Sequence, residues 1–269
     1  MDDILALDSA TQLDARARGA VVVCGSHGGL YAAWLAANAR LRAVMLNDAG
    51  IGKHSAGVAG VAWLGGLGIA ACAVDYRSAR IGDAADMLDS GTVSMVNDVA
   101  AAHGCLPGQT CRQVAACLAE NAVAPDDPEI PEIGETRLHI SNTGHRKVWA
   151  LDSIALARDD DKRAILVTGS HGGLLAGRPD DHVIDVDVFA AFFNDAGGGK
   201  DDAGYSRLGV LDTRGIAGAT VSCNTARIGD GRSSYDTGVL SRVNDIGRRL
   251  ELKEGMSARE AVARLVGLG

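Results

Sequence analysis

Aromatic residues make up only 4% of the chain. That scarcity leaves Ala, Val, Leu and Ile to fill the core, and no interleaving of aromatic with basic residues points to single-stranded nucleic acid. Basic residues are the minority: 26 Lys and Arg stand against 34 Asp and Glu, a net charge of −8. A surface of that sign repels a phosphate backbone, so no nucleic-acid partner is expected. No apolar run approaches the roughly 18 residues that span a bilayer. The opening Met1-Asp2-Asp3 is acidic where a signal peptide is basic. The expectation is a cytoplasmic protein with no membrane partner. Cys105, Cys111 and Cys117 are spaced by six, which fits no metal knuckle. Cys24 and Cys72 lie in or near apolar runs and Cys223 follows one, so the cysteines read as buried, reduced thiols.

What is abundant is glycine, with 35 residues in 269, much of it at turns that follow apolar runs. Several of these turns occur twice. GSHGG stands at 25–29 and 169–173, NDAGIGK at 47–53 answers NDAGGGK at 194–200, and SARIGDA at 78–84 answers TARIGDG at 225–231. Val-Asn-Asp closes both series, at 96–98 and 243–245, and LALDS at 5–9 answers WALDS at 149–153. Order is conserved throughout, which marks an internal duplication. Residues 1–120 form one repeat, 145–269 the other, and 121–144 a connector whose prolines and acids mark a solvated linker. Within the connector, ETRLHIS alternates like a strand.

Each repeat reads as short apolar strands alternating with helices. Strands are expected at 4–7, 20–24, 43–46 and 69–74, and at the matching places of the second repeat. Helices are expected at 31–38 and 56–67; the counterpart of the first is broken by Pro179. A last helix in each repeat carries Val-Asn-Asp, and Thr110 and Ser257 read as N-caps of short terminal helices. The fold class is therefore α/β: a duplicated, Rossmann-like βαβ unit with mostly parallel sheet or sheets and pseudo-twofold symmetry.

The repeated polar residues fall just after strands, where open α/β sheets bind ligands. His27 and His171 are the candidate general bases, since imidazole titrates near neutrality. Asp48 and Asp195 would orient them, or bind a metal. Ser26 and Ser170 are candidate nucleophiles. Asn47 and Asn194 would donate to an oxyanion, and Lys53, Lys200, Arg80 and Arg227 would hold an anionic substrate. The Gly-x-Gly-Lys segments lack the Ser/Thr of a P-loop, so nucleotide hydrolysis is not expected. No cofactor is required; a divalent metal on His27, Asp48 and Asp83 is the alternative, although no His-x-His or His-x-x-x-His spacing supports it.

A strand ending in His-Gly, followed by one ending in Asp-Ala-x-x-Gly, resembles the caspase-like cysteine peptidases. There the nucleophilic Cys would stand at Gly50 or Gly197, so that chemistry does not carry over. Asp8-Ser9 and Asn47-Asp48 resemble two blocks of the SGNH hydrolases, without the preceding Gly or the closing Asp-x-x-His. Both resemblances imply an α/β hydrolytic enzyme. The function expected is enzymatic action on a small polar or carboxylate-bearing molecule, by hydrolysis of an amide-like C–N or acyl bond. The alternatives are a lyase or isomerase using the same His as a proton-transfer base, and a noncatalytic small-anion-binding protein. The partner is a small molecule, with a homodimer as the default assembly.

Overall fold

The computed structural model describes residues 4–126, 128–141, 146–178 and 183–268. Pro179, the expected helix breaker, lies outside them. The first repeat contributes strands β1 (Ile4–Leu7), β2 (Val21–His27), β3 (Ala43–Asn47), β4 (Ala70–Val74) and β5 (Val93–Val96). Its helices are α1 (Leu30–Asn38), α2 (Ala59–Gly66), α3 (Ala84–Ser90), α4 (Asp98–Ala102) and α5 (Cys111–Asn121). The second half contributes β6 (Arg137–Ser141), β7 (Val148–Leu151), β8 (Ile165–His171), β9 (Ala190–Asn194), β10 (Ala217–Val221) and β11 (Leu240–Val243). With these come α6 (Arg207–Thr213), α7 (Gly231–Thr237), α8 (Asp245–Arg249) and α9 (Ala258–Gly267).

The strands form two sheets, one of five in the order β1-β2-β3-β4-β5 and one of six in the order β11-β10-β9-β8-β7-β6. Neighbours pair in parallel except β5 on β4, β11 on β10 and β6 on β7. The duplicated α/β architecture is thus present as two similar, mostly parallel sheets. The central strands are apolar on both sides because helices cover both faces. Val22, Cys24, Val44 and Leu46 pack with α1 and α2, while Val21, Val23, Ala43 and Met45 pack with α3 and α5. Small residues let the layers close: a Cβ at Gly60 on α2 would stand 2.5 Å from Ala33 Cβ on α1.

Two expectations need correction. Val96-Asn97-Asp98 is not helical throughout: Val96 ends the antiparallel strand β5, and Asn97 caps α4 by accepting from Ala100 N–H. Val243 and Asn244 do the same for β11 and α8. Both Asn side chains are buried hubs. Asn97 Oδ1 accepts from Ala71 N–H at 3.1 Å, and its Nδ2 donates to the carbonyls of Ile69 and Val61 at 2.9 and 3.1 Å. The connector, expected as a solvated linker, is docked although partly exposed. Ile130 packs against the first core, Trp34 Nε1–H donates to Pro131 O, and β6 completes the second sheet. Thr110 and Ser257 do cap α5 and α9, in capping boxes with Gln113 and Glu260.

The two halves meet through the turns at the carboxyl ends of their strands. Lys53 N–H donates to Cys223 O at 2.8 Å, and its counterpart Lys200 N–H donates to Tyr76 O at 2.9 Å. Ala49, Ile81, Ala196, Ala203 and Ile228 form a small apolar core where the halves join.

Candidate functional site

A cavity of about 1120 Å³ is lined by residues of both halves and of the connector. His27 and His171 both line it. Each ends a strand whose register with its neighbour shifts just before the histidine. The following glycines are required by contact: a Cβ at Gly28 would stand 2.7 Å from Gly57 O, and one at Gly172 2.3 Å from Gly204 O. The Nδ1 of His27 accepts from Gly29 N–H at 3.1 Å, and that of His171 from Gly173 N–H at 3.2 Å. An Nδ1 that accepts cannot carry the proton of a neutral ring, so Nε2 carries it. Burial lowers the pKa of His27 to about 4. Burial, the charge of Arg207 and the proximity of His27 lower that of His171 well below its ordinary value. At neutral pH the site therefore holds two uncharged imidazoles whose remaining function is an Nε2–H donor. That is the character of an electrophile more than of a base.

The titratable partner comes from the connector. Glu135 lines the same cavity, with the hydroxyls of Tyr31 and Ser153 beside its carboxyl. Burial and the charge of Asp152 raise its pKa to about 7. Its place is fixed by the backbone that follows. Thr136 N–H donates to Asp152 Oδ2 at 2.7 Å, and Arg137 forms a two-pronged pair with the fully buried Asp161. Repeat-based reading missed Glu135 because the connector has no second copy. The signal present was the acid that opens the strand-like ETRLHIS at 135–141.

The other expected site residues divide between lining and lock. Ser26 and Ser170 line the cavity, but their hydroxyls accept from Ala10 N–H and Ile154 N–H, both at 2.9 Å. Among the described residues no bond joins either hydroxyl to an imidazole. Asp48 and Asp195 do not line the cavity and do not orient the histidines. Asp48 Oδ1 accepts from Gly50 and Tyr76 N–H, and Asp195 Oδ1 from Gly197 and Cys223 N–H. Asn47 and Asn194 are fully buried. Their Nδ2 groups donate to Ala79 O and Ala226 O, and their Oδ1 atoms accept from Ala49 and Ala196 N–H. Their amides are thus spent on the turns.

Lys53 and Lys200 reach across to the opposite half. Lys53 Nζ donates to Thr237 Oγ1 at 2.8 Å and Lys200 Nζ to Asp86 Oδ1 at 2.6 Å. Arg80 is held by Asp83, Asp86 and Asp201. Of the four expected cations, only Arg227 lines the cavity. Among the described residues no group of three His, Cys, Asp or Glu side chains is arranged to hold a metal ion, so His27, Asp48 and Asp83 do not form the ligand set considered above. No helix among them is long and apolar enough to cross a membrane. Comparison of the chain with family profiles, curated proteins and solved structures finds no match.

Proposed function

We propose that this protein is an enzyme acting on a small polar carbonyl compound, with hydrolysis of an amide-like C–N or acyl bond as its reaction. The observation that carries this reading is the pair of neutral imidazoles fixed by Gly29 and Gly173 in one cavity with Glu135. The substrate carbonyl oxygen accepts from Nε2–H of His27 and His171. Glu135, as carboxylate, takes a proton from water as the water oxygen bonds to the carbonyl carbon. Charge then develops on the carbonyl oxygen, where fixed donors in a dry site act most strongly. When the C–N bond breaks, Glu135 returns its proton to the leaving nitrogen. The histidines thus serve as donors instead of the bases expected from their residue type. Among the described residues Ser26 and Ser170 carry no imidazole bond that would activate them, which favours water as the nucleophile.

Proton abstraction beside the carbonyl would use the same groups and is the second reading, favoured by Glu135 being a carboxyl poised near neutrality. A panel of small amides, lactams and esters in ¹⁸O-water separates the two, because only hydrolysis places solvent oxygen in the product. Glu135→Gln is expected to lower turnover by about 10²–10⁴-fold, and His27→Ala with His171→Ala by about 10²–10³-fold. Undiminished turnover in either variant would sink the proposal.

A further inference from the structure

The two halves place opposite charge at symmetry-equivalent turns. In the first half Arg80 sits among carboxylates. Its Nη2 meets Asp83 at 3.0 Å and Asp86 at 3.2 Å, and its Nη1 meets Asp201 of the second half at 2.8 Å. Lys200 joins the same group through Asp86 at 2.6 Å. Two cations there face three carboxylates.

The offset of 147 that relates the turns maps Arg80 onto Arg227, Lys200 onto Lys53 and Asp83 onto Asp230. It maps Asp86 onto Ser233 and Asp201 onto His54. Two of the three acids are therefore missing. Among the described residues Arg227 pairs with Asp230 alone, and Ser233 Oγ takes over the backbone bond, accepting from Arg227 N–H at 3.0 Å. Among the same residues Lys53 Nζ meets only neutral oxygens, Thr237 Oγ1 and Thr225 O. Two cations there face one carboxylate. This second turn opens on the cavity: Arg227, Asp230 and His54 line it, whereas Arg80, Asp83 and Asp201 do not. It also adjoins the imidazole, since a Cβ at Gly229 would stand 3.5 Å from His27 Cε1.

We infer that Arg227 anchors a carboxylate of the substrate, in the place that Asp86 and Asp201 fill at the Arg80 turn. The inference rests on reading the cavity as the active site. The first half supplies the template: an arginine at this turn takes carboxylate oxygens on both of its terminal nitrogens, a geometry that guanidinium matches closely. The substrate class is thereby narrowed to small carbonyl compounds that also bear a carboxylate, bound on the His27 side of the pseudo-twofold only.

The test reads binding, not turnover. Malonate is titrated calorimetrically into the full chain at constant ionic strength, with sulfate as the control anion. Wild type is expected to bind malonate in preference to sulfate. Arg227→Gln, and the double variant His54→Asp with Ser233→Asp, should each weaken binding at least about tenfold. The double variant copies a pattern that the first half already folds with, and its melting profile verifies the fold. No malonate binding by wild type, equal binding of sulfate, or undiminished binding by the folded double variant would each overturn the inference. Malonate has no scissile bond, so its binding is read without turnover. The anion site then stands or falls separately from the carbonyl chemistry.

Discussion

Arg137 presents Nη1 and Nη2 to the two carboxylate oxygens of Asp161 at 2.8 and 2.6 Å, and its guanidinium lies 3.9 Å over the Trp149 ring. Asp161 is fully buried and also accepts from Arg158 N–H. Removing one partner strands the other charge in the interior. Arg137→Ala should cost about 3–5 kcal/mol in denaturant unfolding. Arg137→Met paired with Asp161→Leu should recover much of that loss. Because the pair fixes the strand that begins beside Glu135, Arg137→Ala should also move the pH midpoint of turnover, whereas a remote mutation of equal cost should not.

The two crossing lysines should differ in worth. Lys200 ends on the buried carboxylate of Asp86, while Lys53 ends on a hydroxyl and a carbonyl. Both ammoniums make charge-assisted bonds, but only Lys200 meets an opposite charge, and its removal leaves a buried carboxylate short of its partner, which costs more than a lost bond to a neutral oxygen. Lys200→Ala should therefore destabilise more than Lys53→Ala in urea unfolding. Burial pushes the Asp86 carboxyl up, but the Lys200 ammonium, the Arg80 N–H and the Arg80 charge outweigh it and hold its pKa below the ordinary value. In Lys200→Ala that carboxyl should titrate higher by NMR.

Stability should respond to pH through two opposing groups. His27 titrates at about 4 in the folded chain and near its ordinary 6.5 when unfolded. The unfolded state binds the extra proton between those values, so stability falls as pH drops from about 6.5 to about 4, by on the order of 2–3 kcal/mol. Glu135 titrates at about 7 when folded against an ordinary 4.5. Here the folded state holds the extra proton, so stability falls as pH rises from about 4.5 to about 7. Glu135→Gln should match wild type below pH 4.5 and exceed it above pH 7, by on the order of 2–3 kcal/mol. Unfolding midpoints across pH 4–8.5 read both slopes. Turnover should rise through pH about 7 as Glu135 ionises, and that limb should vanish in Glu135→Gln.

Gly197 holds a φ of +78°, and a Cβ there would stand 2.6 Å from Tyr76 Cε2 in the other half. Gly197→Ala should cost more than the roughly 1 kcal/mol of the backbone conformation alone. Adding Tyr76→Ala should return the contact part and leave the backbone part. A double-mutant cycle in thermal unfolding gives the split.

The duplicated strands were legible because apolar runs bounded by glycine turns recur in the same order, and the sheets are built from those runs. The short strands β5 and β11 were harder to see. Their four residues adjoin helix caps, and only antiparallel pairing with β4 and β10 fixes them. The candidate site was legible in part. Duplication preserves whatever the fold needs twice, so Asn47, Asp48, Asn194 and Asp195 recur as turn locks and Lys53 and Lys200 as ties between halves. His27 and His171 do share a cavity, yet their tautomer depends on glycine N–H groups two residues on, a matter of backbone geometry. Glu135 could not be found by repetition at all.

The ties from Lys53 to Cys223 and from Lys200 to Tyr76 are reciprocal, as in a contact between identical subunits. In a symmetric pair of separate chains, any change would appear on both sides at once. Covalent fusion lifts that constraint. Ser233 and His54 are departures of this kind: each copy lacks one acid that the other has, and both absences fall on the Arg227 turn, so one turn carries a charged tie between the halves where its twin carries only neutral bonds.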